Sequence, residues 1–496
     1  METGKLDWDG LRQSLRGDLV LPADAGYGLA RQLQDVQFDL VRPQAVAYCE
    51  SAADVQAVLR FTRQHDLHVA VRSGGHSTAG YSTTAGVVLD VSRLNSVAVG
   101  DRFVRMGPGT QAVDAASALA PYGLATPNGF CPTVSAGGFF AGGGFGLLTR
   151  SGGMGSDRLR GAEVVLADGR IVHCSEDSHD DLFWALRGGG GGNFGVVTSY
   201  DIAPIHIARA VNFSLVWPWD SAADVVSAWQ HWAPAAPHAL TSWLGIFLPD
   251  ASPGTVAQLV VFGMWQGAEA DLYPQLAALT DMVPAAPLVK SVQELPYQAA
   301  MMQWWFCADK TVDQCHRLGY GQGMLPRTPY QTLRGRMFER PMPRSAVEQF
   351  LAAFDTDRRP GQTRISLAAA LAGQVNQIGR TDTAYVHRTA QFHLDYTVTL
   401  TTPAPTADDL AAAAWWATNG FQTIDRYSNH ESYQNYTDPR LLDWPQAYYA
   451  ENYPRLQRVK RRYDPTNFFN FGQSIGRGPS PSDDEDVEAA ASAAEN

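Results

Sequence analysis

Residues 67–94 read LHVAVRSGGHSTAGYSTTAGVVLDVSRL, and this stretch decides the fold that the sequence predicts. An apolar segment typical of a buried strand leads into the turn RSGGHS at 72–77, and a second apolar segment follows at 86–91. A glycine pair lets the backbone approach another group closely or adopt a positive φ. A glycine-rich turn after a strand often cradles a phosphate through backbone N–H groups. His76, at the end of this turn, could therefore be a ligand, a base or a point of attachment.

The flanking sequence predicts alternating strands and helices around this turn. VRPQAVAYC at 41–49 is typical of a strand. SAADVQAVLRFTRQHD at 51–66 has the apolar spacing of an amphipathic helix, with Ser51 as its N-cap. Short β segments follow at 86–100 and 103–109, and a helix is expected within 110–129. The order β-α-β-turn-β predicts a layer of mixed α/β structure.

Glycine is concentrated in the next hundred residues. Nine glycines lie between Phe130 and Leu159, and five more form an unbroken run at 188–192. A segment so poor in side chains is not an ordinary core, so its backbone is expected to lie against something large and flat or highly charged. Between these runs, AEVVLADGRIVHCS at 162–175 predicts a β-hairpin that turns at Asp168 and Gly169.

Composition excludes several classes of protein. The chain has 496 residues, of which 45% are apolar and 18% charged, so a folded protein of more than one domain is expected. A net charge of −12 without a basic stripe argues against a nucleic-acid partner. The sequence shows no secretory signal and no apolar run long enough to cross a membrane, which favours a cytoplasmic protein.

Five cysteines at wide spacing argue against a disulfide framework. They are Cys49, Cys131, Cys174, Cys307 and Cys315, and the residues around them lack the spacings of a zinc site, so no metal is predicted. Apart from Cys131, each is interpreted as a small buried hydrophobe.

The character of the chain changes near residue 206. Glycine becomes sparse, and tryptophans are spread over alternating strands and helices up to about residue 430, which indicates a second domain with a sheet covered by helices on one side. A helix is expected at 444–463, in which the basic run VKRRY at 459–463 is interpreted as a solvated face. Residues 477–496 are acidic and low in complexity, so they are expected to be disordered.

Five motifs follow one another along the chain: RSGGHSTAGYS (72–82), GFCPTVSAGG (129–138), FAGGGFGLLTRSGGMGSD (140–157), DLFWALRGGGGGNFGVVTS (181–199) and NYPRLQRVKRRYDPTNFF (452–469). Together they resemble the berberine bridge enzyme-like flavoprotein oxidases of the vanillyl-alcohol oxidase superfamily, over about residues 35 to 475. The bacterial members that the chain resembles most include aclacinomycin oxidoreductase and the glucooligosaccharide and hexose oxidases.

The resemblance implies an α+β fold, in which a two-subdomain FAD-binding domain of the PCMH type carries an inserted substrate domain of antiparallel sheet covered by helices. The corresponding boundaries are 1–205 for the N-terminal part of the FAD-binding domain, 206–430 for the substrate domain and 431–476 for a C-terminal segment that returns to the FAD-binding domain. Residues 477–496 form the acidic tail.

The resemblance also implies covalent FAD. His76 takes the place of the histidine that bonds to the flavin 8α-methyl carbon, and Cys131 takes the place of a cysteine that, in a subset of the family, bonds to flavin C6. The further residues expected at the cofactor are Arg72, Ser73, Gly74, Gly75, Ser77, Gly80, Tyr81, Gly129, Thr133, Val134, Gly137, Gly138, Gly142, Gly143, Gly144, Gly146, Gly195, Val196, Val197 and Asn467.

Oxidation of an alcohol needs a proton acceptor within hydrogen-bond reach of the substrate. In the family a tyrosine of a Y-x-N-Y element often has this role, so the resemblance implies Tyr436 as the base, with Tyr433 and Asn435 in support. A second family position lies on a strand, and Asp395 matches it. The segment RTAQFHLDYTVTL at 388–400 alternates, so that Phe392, Leu394 and Tyr396 face one way and Gln391, His393, Asp395 and Thr397 the other. Gln391, His393 and Tyr449 are candidates for substrate contact.

The predicted activity is oxidation of an alcohol or sugar hydroxyl on a bulky natural product or oligosaccharide. Hydride passes to flavin N5, and dioxygen is reduced to hydrogen peroxide. The alternative is a flavin-dependent oxidative cyclase that forms a C–C or C–O bond in secondary metabolism. A flavin-free binding protein and a dehydrogenase that rejects oxygen are two further hypotheses. The expected partners are a small-molecule substrate and dioxygen, without nucleic acid or membrane, and the protein is expected to be a monomer or homodimer.

Overall fold

The structure is a computed structural model that describes residues 6–478. The region up to residue 206 builds two small sheets that share one apolar core around a helix. The elements up to the end of the first sheet are α1 (Trp8–Ser14), β1 (Asp18–Val20), α2 (Tyr27–Ala30), β2 (Ala45–Tyr48), α3 (Ala52–Gln64), β3 (Val69–Arg72) and β4 (Val87–Asp90). This sheet has the order β1-β2-β4-β3, in which β4 pairs in parallel with both β2 and β3.

A five-stranded antiparallel sheet follows. Its order is β5-β6-β10-β8-β9. The elements are β5 (Val97–Val99), β6 (Val104–Met106), α4 (Ala112–Leu119), β7 (Leu124–Ala125), α5 (Ala136–Ala141), α6 (Thr149–Gly152), β8 (Leu159–Val165), β9 (Ile171–Cys174), α7 (Asp180–Leu186), β10 (Val196–Ile202) and β11 (Ile205–His206). Strands β7 and β11 form a separate pair. Val165 and Val196 pack into the same cluster as α3, which joins the two sheets.

The middle of the chain forms a seven-stranded antiparallel sheet of order β15-β12-β14-β13-β17-β18-β16. Its elements are β12 (Arg209–Trp217), α8 (Ala222–Ala235), β13 (Leu240–Leu248), β14 (Gln258–Trp265), α9 (Glu269–Thr280), β15 (Val289–Pro296), α10 (Tyr297–Trp304), β16 (Tyr330–Phe338), α11 (Arg344–Asp355), β17 (Gln362–Ala370), β18 (Phe392–Leu400) and α12 (Ala407–Asp425). Helices α8, α9, α11 and α12 pack on one face of this sheet in the largest apolar cluster.

The chain ends with α13 (Trp444–Tyr449) and α14 (Tyr453–Tyr463). Leu456 and Val459 of α14 share a core with the five-stranded sheet, so the C-terminal segment packs against the first region. Lys460 and Asp464 form a fully buried ion pair with an N–O distance of 2.8 Å. The Lys460 ammonium also donates to the carbonyls of Asn193 and Phe469, which fixes α14 to the end of the five-glycine turn.

The α+β fold class is confirmed, and so are helix α3 with its Ser51 cap and the hairpin that turns at Gly169. The prediction that VKRRY is a solvated face is wrong at Lys460, which is completely buried. The helix expected at 444–463 is divided at Ala450, whose φ is 40°. The acidic tail predicted to be disordered lies almost wholly outside the described residues.

The interpretation of Cys307 and Cys315 as isolated thiols is also wrong. The two residues form a disulfide with a Cα–Cα distance of 5.9 Å across a separation of 8 residues. Both are buried in a segment that leaves α10 and returns to β16, so a short loop brings them together. Within residues 6–478, no helix combines the length and the apolar character that a membrane span requires.

Candidate active site

The turn at 72–77 is held by the strand that precedes it. Arg72, the last residue of β3, is buried and pairs through Nε with Asp90 of β4, while its Nη2 donates to the Ala30 carbonyl at 2.7 Å. Gly75 has a φ of 71°, a conformation that other residues rarely adopt. These contacts fix the backbone that presents His76 to the neighbouring segment.

His76 lies against the CPTV segment. Its Nε2 is 2.9 Å from the hydroxyl of Thr133, two residues after Cys131, so His76 adjoins the segment that carries the second predicted attachment residue. Burial, together with the charge of Arg317, lowers the pKa of His76 to about 4. The imidazole is therefore uncharged at neutral pH, and one ring nitrogen keeps a free lone pair.

The Cys131 side chain is exposed to solvent on one side, and protein atoms surround it on its other sides. This crowding, together with the charge of Asp35, raises the pKa of its thiol to about 11. Because a thiolate is the nucleophilic form of cysteine, Cys131 is less reactive at neutral pH than an ordinary exposed thiol.

The glycine run at 137–146 packs largely against the protein itself. A side chain at Gly142 would collide with Asn435, one at Gly143 with the Tyr385 ring, and one at Gly144 with the Phe139 ring. Gly138 differs, because a β-carbon there would meet nothing within 4 Å. The run thus lets aromatic rings approach its backbone on one side and leaves open space at Gly138.

Two buried polar groups without a partner lie in the segment that the resemblance assigns to FAD. A small cavity with room for about one water molecule is lined by Thr110, Asn128, Gly129, Val134 and Phe139, among others. The hydroxyl of Thr110 and the amide nitrogen of Asn128 are buried there without a partner in the protein. Native proteins rarely leave such groups unsatisfied, so we expect a water molecule or a polar group of a bound ligand beside them.

The other predicted cofactor residues fall into four groups. In the first, Ser77 accepts from the Tyr81 N–H at 3.0 Å, and the Tyr81 ring packs on Phe471 with centroids 5.0 Å apart. The second comprises glycines in close contact with other parts of the chain: Gly74 packs on Ser135, Gly137 on Ser73, Gly146 on the Asn128 carbonyl and Gly80 on the Phe38 ring. The third is Gly195 with Val196 and Val197 at the start of β10, and the fourth is Asn467, which has a φ of 54° and an unpaired buried Oδ1.

Tyr433 is buried, and its oxygen accepts two hydrogen bonds. The Gly144 N–H donates to it at 2.9 Å and the Asn435 amide at 3.0 Å. Burial raises the pKa of Tyr433 to about 12, although both donors oppose that rise. Asn435 also donates to the Phe139 carbonyl, so the YQNY element is anchored to the glycine run.

His393 and Asp395 share one face of β18, as its alternation predicts, and Tyr436 lies beside them. The rings of His393 and Tyr436 are 5.3 Å apart, and His393 Nδ1 is 3.8 Å from Asp395 Oδ2. Burial raises the pKa of Asp395 to about 7 and, together with the nearby His387, lowers the pKa of His393 to about 3. Burial first, and then the charges of Asp395, Tyr433 and Cys131, raise the pKa of Tyr436 well above its usual value.

An aromatic group that sequence reasoning missed surrounds this trio. Phe145 is 4.5 Å from the Tyr433 ring and 5.8 Å from His393, and it also packs on Trp243. Trp243 stacks on Phe130, the residue before Cys131, with centroids 5.6 Å apart. Only the long-range pairing of the strands brings these rings together, and no local pattern could have found them.

A second missed feature is a buried polar network behind the YQNY element. His387 Nδ1 lies 2.8 Å from Glu431 Oε2, and its Nε2 lies 3.1 Å from Gln434 Oε1. The Gln434 amide donates to the Gly188 carbonyl at 2.6 Å. The network joins the five-glycine turn to YQNY.

Two candidates for substrate contact lie outside the trio. Tyr449 is buried and donates to the Gly189 carbonyl at 3.0 Å, so it supports the five-glycine turn. Gln391 is half-buried just before β18. Its backbone carbonyl accepts hydrogen bonds from the N–H groups of Leu371 and Ala372.

Two family models match the chain. Residues 43–175 match the FAD binding domain, and residues 432–476 match the family described as berberine and berberine like. The first match contains His76, Cys131 and Thr133, and the second contains the YQNY element.

Relatives match over nearly the whole chain. The FAD-linked oxidoreductase YgaK of Bacillus subtilis is 29% identical over 94% of this chain and 98% of its own length. The chitooligosaccharide oxidase of Gibberella zeae is 26% identical over 87% of each protein. Among solved structures, the BBE-like 1 protein of Physcomitrella patens superposes with a TM-score of 0.84 at 20% identity, covering 95% of this chain and 99% of that one.

Proposed function

Because this chain is an FAD-linked oxidoreductase of the berberine bridge enzyme-like family, we propose that it is an oxidase with covalently held FAD that oxidises a hydroxyl group of a bulky substrate. The chitooligosaccharide oxidase among its relatives supports the choice of a hydroxyl group as the target. Bound FAD would supply the hydride acceptor, and dioxygen would take up the two electrons with two protons to give hydrogen peroxide.

His76 and Cys131 are proposed as the two points of attachment. The uncharged imidazole of His76 supports the first, because its free lone pair can form a bond to carbon. The accessibility of Cys131 supports the second. The hydrogen bond between His76 and Thr133 would hold the imidazole in one orientation while attachment takes place.

The proton of the substrate hydroxyl is proposed to end on Asp395. A general base works best when its pKa lies near the working pH, and burial raises the pKa of Asp395 to about 7. Tyr436 has a pKa far above that range, so it is better suited to orient the hydroxyl and pass on its proton than to keep it. Tyr433, held by Gly144 and Asn435, supports Tyr436 from behind.

One observation carries this proposal. Phe130, the residue before Cys131, stacks on Trp243, and Phe145 packs on both Trp243 and Tyr436. This chain of ring contacts, with the contact between His76 and Thr133, supports placing the attachment residues and the proton acceptors around one site. In that arrangement a substrate carbon could face bound flavin while its hydroxyl faces Tyr436 and Asp395.

The test is an absorption spectrum of the purified protein before and after acid precipitation, followed by mass spectrometry of its peptides. We expect yellow colour in the pellet, flavin mass on the peptides of His76 and Cys131, and peroxide release when a suitable alcohol is added. Flavin that stays in the supernatant would contradict covalent attachment. A colourless protein would contradict the whole mechanism.

A further inference from the structure

We propose that two copies of this chain pair along strand β15, which forms one edge of the seven-stranded sheet, and build a dimer with two-fold symmetry and one continuous sheet. Three features of β15 support this assembly: its edge is open, its free backbone groups form a regular row, and its charges match those of a second copy. None of these features depends on the proposed oxidase chemistry.

β15 is a long edge strand that the rest of the described chain leaves open. It has eight residues, of which five are exposed. The other edge of the same sheet, β16, is covered, because the Met337 N–H donates to the Glu431 carbonyl at 2.9 Å and the Met337 carbonyl accepts from Asn429 at 3.1 Å. The edge strands of the two smaller sheets have only three or four residues. An open edge of the length of β15 is a template for another strand.

The hydrogen bonds between β15 and β12 leave a regular row of free backbone groups on β15. The Tyr297 N–H donates to the Ala208 carbonyl at 3.0 Å, in the register of the β12–β15 pairing. Because the residues of an antiparallel strand alternate between bonding to a neighbour and facing away from it, the odd-numbered residues of β15 bond to β12. The N–H and C=O groups of Lys290, Val292 and Glu294 therefore point outward, and no group within residues 6–478 bonds to them.

A second β15 fits this row when the two strands run antiparallel about Val292. Val292 then lies opposite Val292 of the second copy, and Lys290 lies opposite Glu294 on either side of that centre. Each of these three pairs can exchange two backbone hydrogen bonds, which makes six between the copies. On the other face of the strand, Val289 lies opposite Leu295, so that two apolar side chains meet.

Charge selects this register over its neighbours. Lys290 pairs with no carboxylate among the described residues, and its ammonium lies 5.3 Å from the centroid of the Tyr273 ring. Glu294 accepts from Arg209 at 2.6 Å through Oε1, which leaves Oε2 free for the lysine of the second copy. A pairing centred on Lys290 or on Glu294 would place like charges opposite each other, which is destabilising. Among the antiparallel registers that join the outward groups, only the one centred on Val292 sets lysine against glutamate.

Exposed apolar side chains lie on β15 and on the segment before it. Tyr273, Met282, Leu288 and Val289 have exposed fractions between 43% and 69%. Tyr273 belongs to α9, which packs beside β15 on the helix-covered face of the sheet. Paired residues share a face, so the α9 helices of the two copies would lie on the same face of the joined sheet. These side chains would add the apolar contact that a stable dimer needs beyond its backbone hydrogen bonds.

The first test is the molar mass of the purified full-length protein, measured by sedimentation equilibrium at tens of micromolar. We expect twice the 53.9 kDa of one chain. Val292→Pro should give a monomer, because proline removes an outward N–H that β12 does not use, and edge strands tolerate proline at such positions. In the parent, hydrogen exchange at the amides of Lys290, Val292 and Glu294 should slow as the protein concentration rises.

Charge reversal tests the register itself. Lys290→Glu should weaken dimerisation at least about a hundredfold, because two pairs of like charges then face each other, and Glu294→Lys should act in the same way. When the two variants are mixed, opposite charges face each other again at both positions. A mixed dimer with one copy of each should therefore form, and an affinity tag on one variant should recover the other with it.

The matched control is Arg340→Glu, an exposed position just after β16 at the opposite edge of the sheet, and it should stay dimeric. Lys290 is exposed, so Lys290→Glu should keep the melting temperature of the parent. A monomeric parent would overturn the proposal and leave the edge of β15 to a strand of a different protein. A dimer that survives both Val292→Pro and Lys290→Glu would overturn it as well, because the copies would then meet through another surface.

Discussion

At the scale of single residues, the two proposed attachment points differ in how ready they are to react. His76 is uncharged at neutral pH, whereas the Cys131 thiol has a pKa raised to about 11 and is almost wholly protonated. When flavin-free protein is mixed with FAD, the His76 linkage should therefore form first. The Cys131 linkage should form later, and its rate should rise with pH as the thiolate fraction grows.

Peptide mass spectrometry over a time course would check this order. Cys131→Ser should keep the His76 linkage and nearly the full flavin content, while His76→Ala should slow or abolish attachment at both positions. A Cys131 linkage that precedes the His76 linkage, or a rate that does not change with pH, would contradict the assignment.

Asp395 gives a second prediction, because catalysis and stability should respond to it in opposite directions. Asp395→Asn should lower kcat by about a hundredfold or more, since it removes the proposed base. It should also abolish the loss of activity that the parent shows as pH falls through about 7, where Asp395 becomes protonated.

The effect on stability follows from the same raised pKa. Between the usual pKa of a carboxyl and about 7, the folded protein holds a proton that the unfolded chain has lost, so stability falls as pH rises through this window. The asparagine side chain carries no charge, so the Asp395→Asn variant should unfold at a higher temperature than the parent above pH 7. The gain should be a few kcal/mol at most and should vanish at low pH. A variant that is equally destabilised at every pH would indicate a packing role instead.

At the scale of secondary-structure elements, local patterns predicted what local physics controls. Helix α3 begins at the Ser51 cap because that hydroxyl accepts from the Asp54 N–H at 3.2 Å. The alternation at 388–400 placed His393 and Asp395 on one face of β18, and the structure has them buried there beside Tyr436. The cap residue and the alternating pattern each lie within a few residues of the feature that they predict.

Elements whose environment comes from distant segments were predicted less well. A basic run reads as a solvated face, but Lys460 is buried because Asp464, Asn193 and Phe469 together satisfy its ammonium. Nothing near Lys460 in the sequence indicates that the five-glycine turn would supply one of these partners. The disulfide between Cys307 and Cys315 was missed because the five cysteines are widely spaced on the whole, although these two are only 8 residues apart.

Lys460→Met tests how far helix α14 depends on this buried ion pair. The substitution leaves the Asp464 carboxylate buried without its cation and two carbonyls without a donor, so we expect a loss of about 3–5 kcal/mol in the free energy of unfolding. The matched control is Arg458→Met, an exposed position on the same helix, which should change stability by less than about 0.5 kcal/mol. Urea denaturation would measure both, and equal effects would show that the pair contributes nothing particular.

At the scale of the whole molecule, the proposed site exists only where three regions meet. His76 and Cys131 come from the N-terminal sheets, Asp395 from the seven-stranded sheet, and Tyr436 from the C-terminal segment. Motif spacing identified members of each region, since each motif is local. The aromatic group of Phe145, Trp243 and Phe130 depends on how the regions pack together, which no single segment encodes.

One buried arginine joins two of these regions and provides the last prediction. Arg150 of α6 is completely buried and donates to five backbone carbonyls, four of them around the end of α8 and the start of β13. The acceptors are Pro234, Ala236, Pro237, Leu240 and Ala372. Burial lowers the pKa of Arg150 to about 10, so the guanidinium stays charged at neutral pH and keeps all its donors.

Arg150→Met should leave these carbonyls buried and unsatisfied at the junction between the glycine-rich region and the seven-stranded sheet. We expect a loss of at least about 3 kcal/mol in stability, because each unsatisfied buried group costs about 1–3 kcal/mol. Arg150→Lys should recover only part of it, since an ammonium has three donors in place of five. Differential scanning calorimetry would measure the loss, and a melting curve that splits into two steps would show that Arg150 couples the two regions. A single transition at the parent's temperature would mean that the junction is held by apolar packing alone.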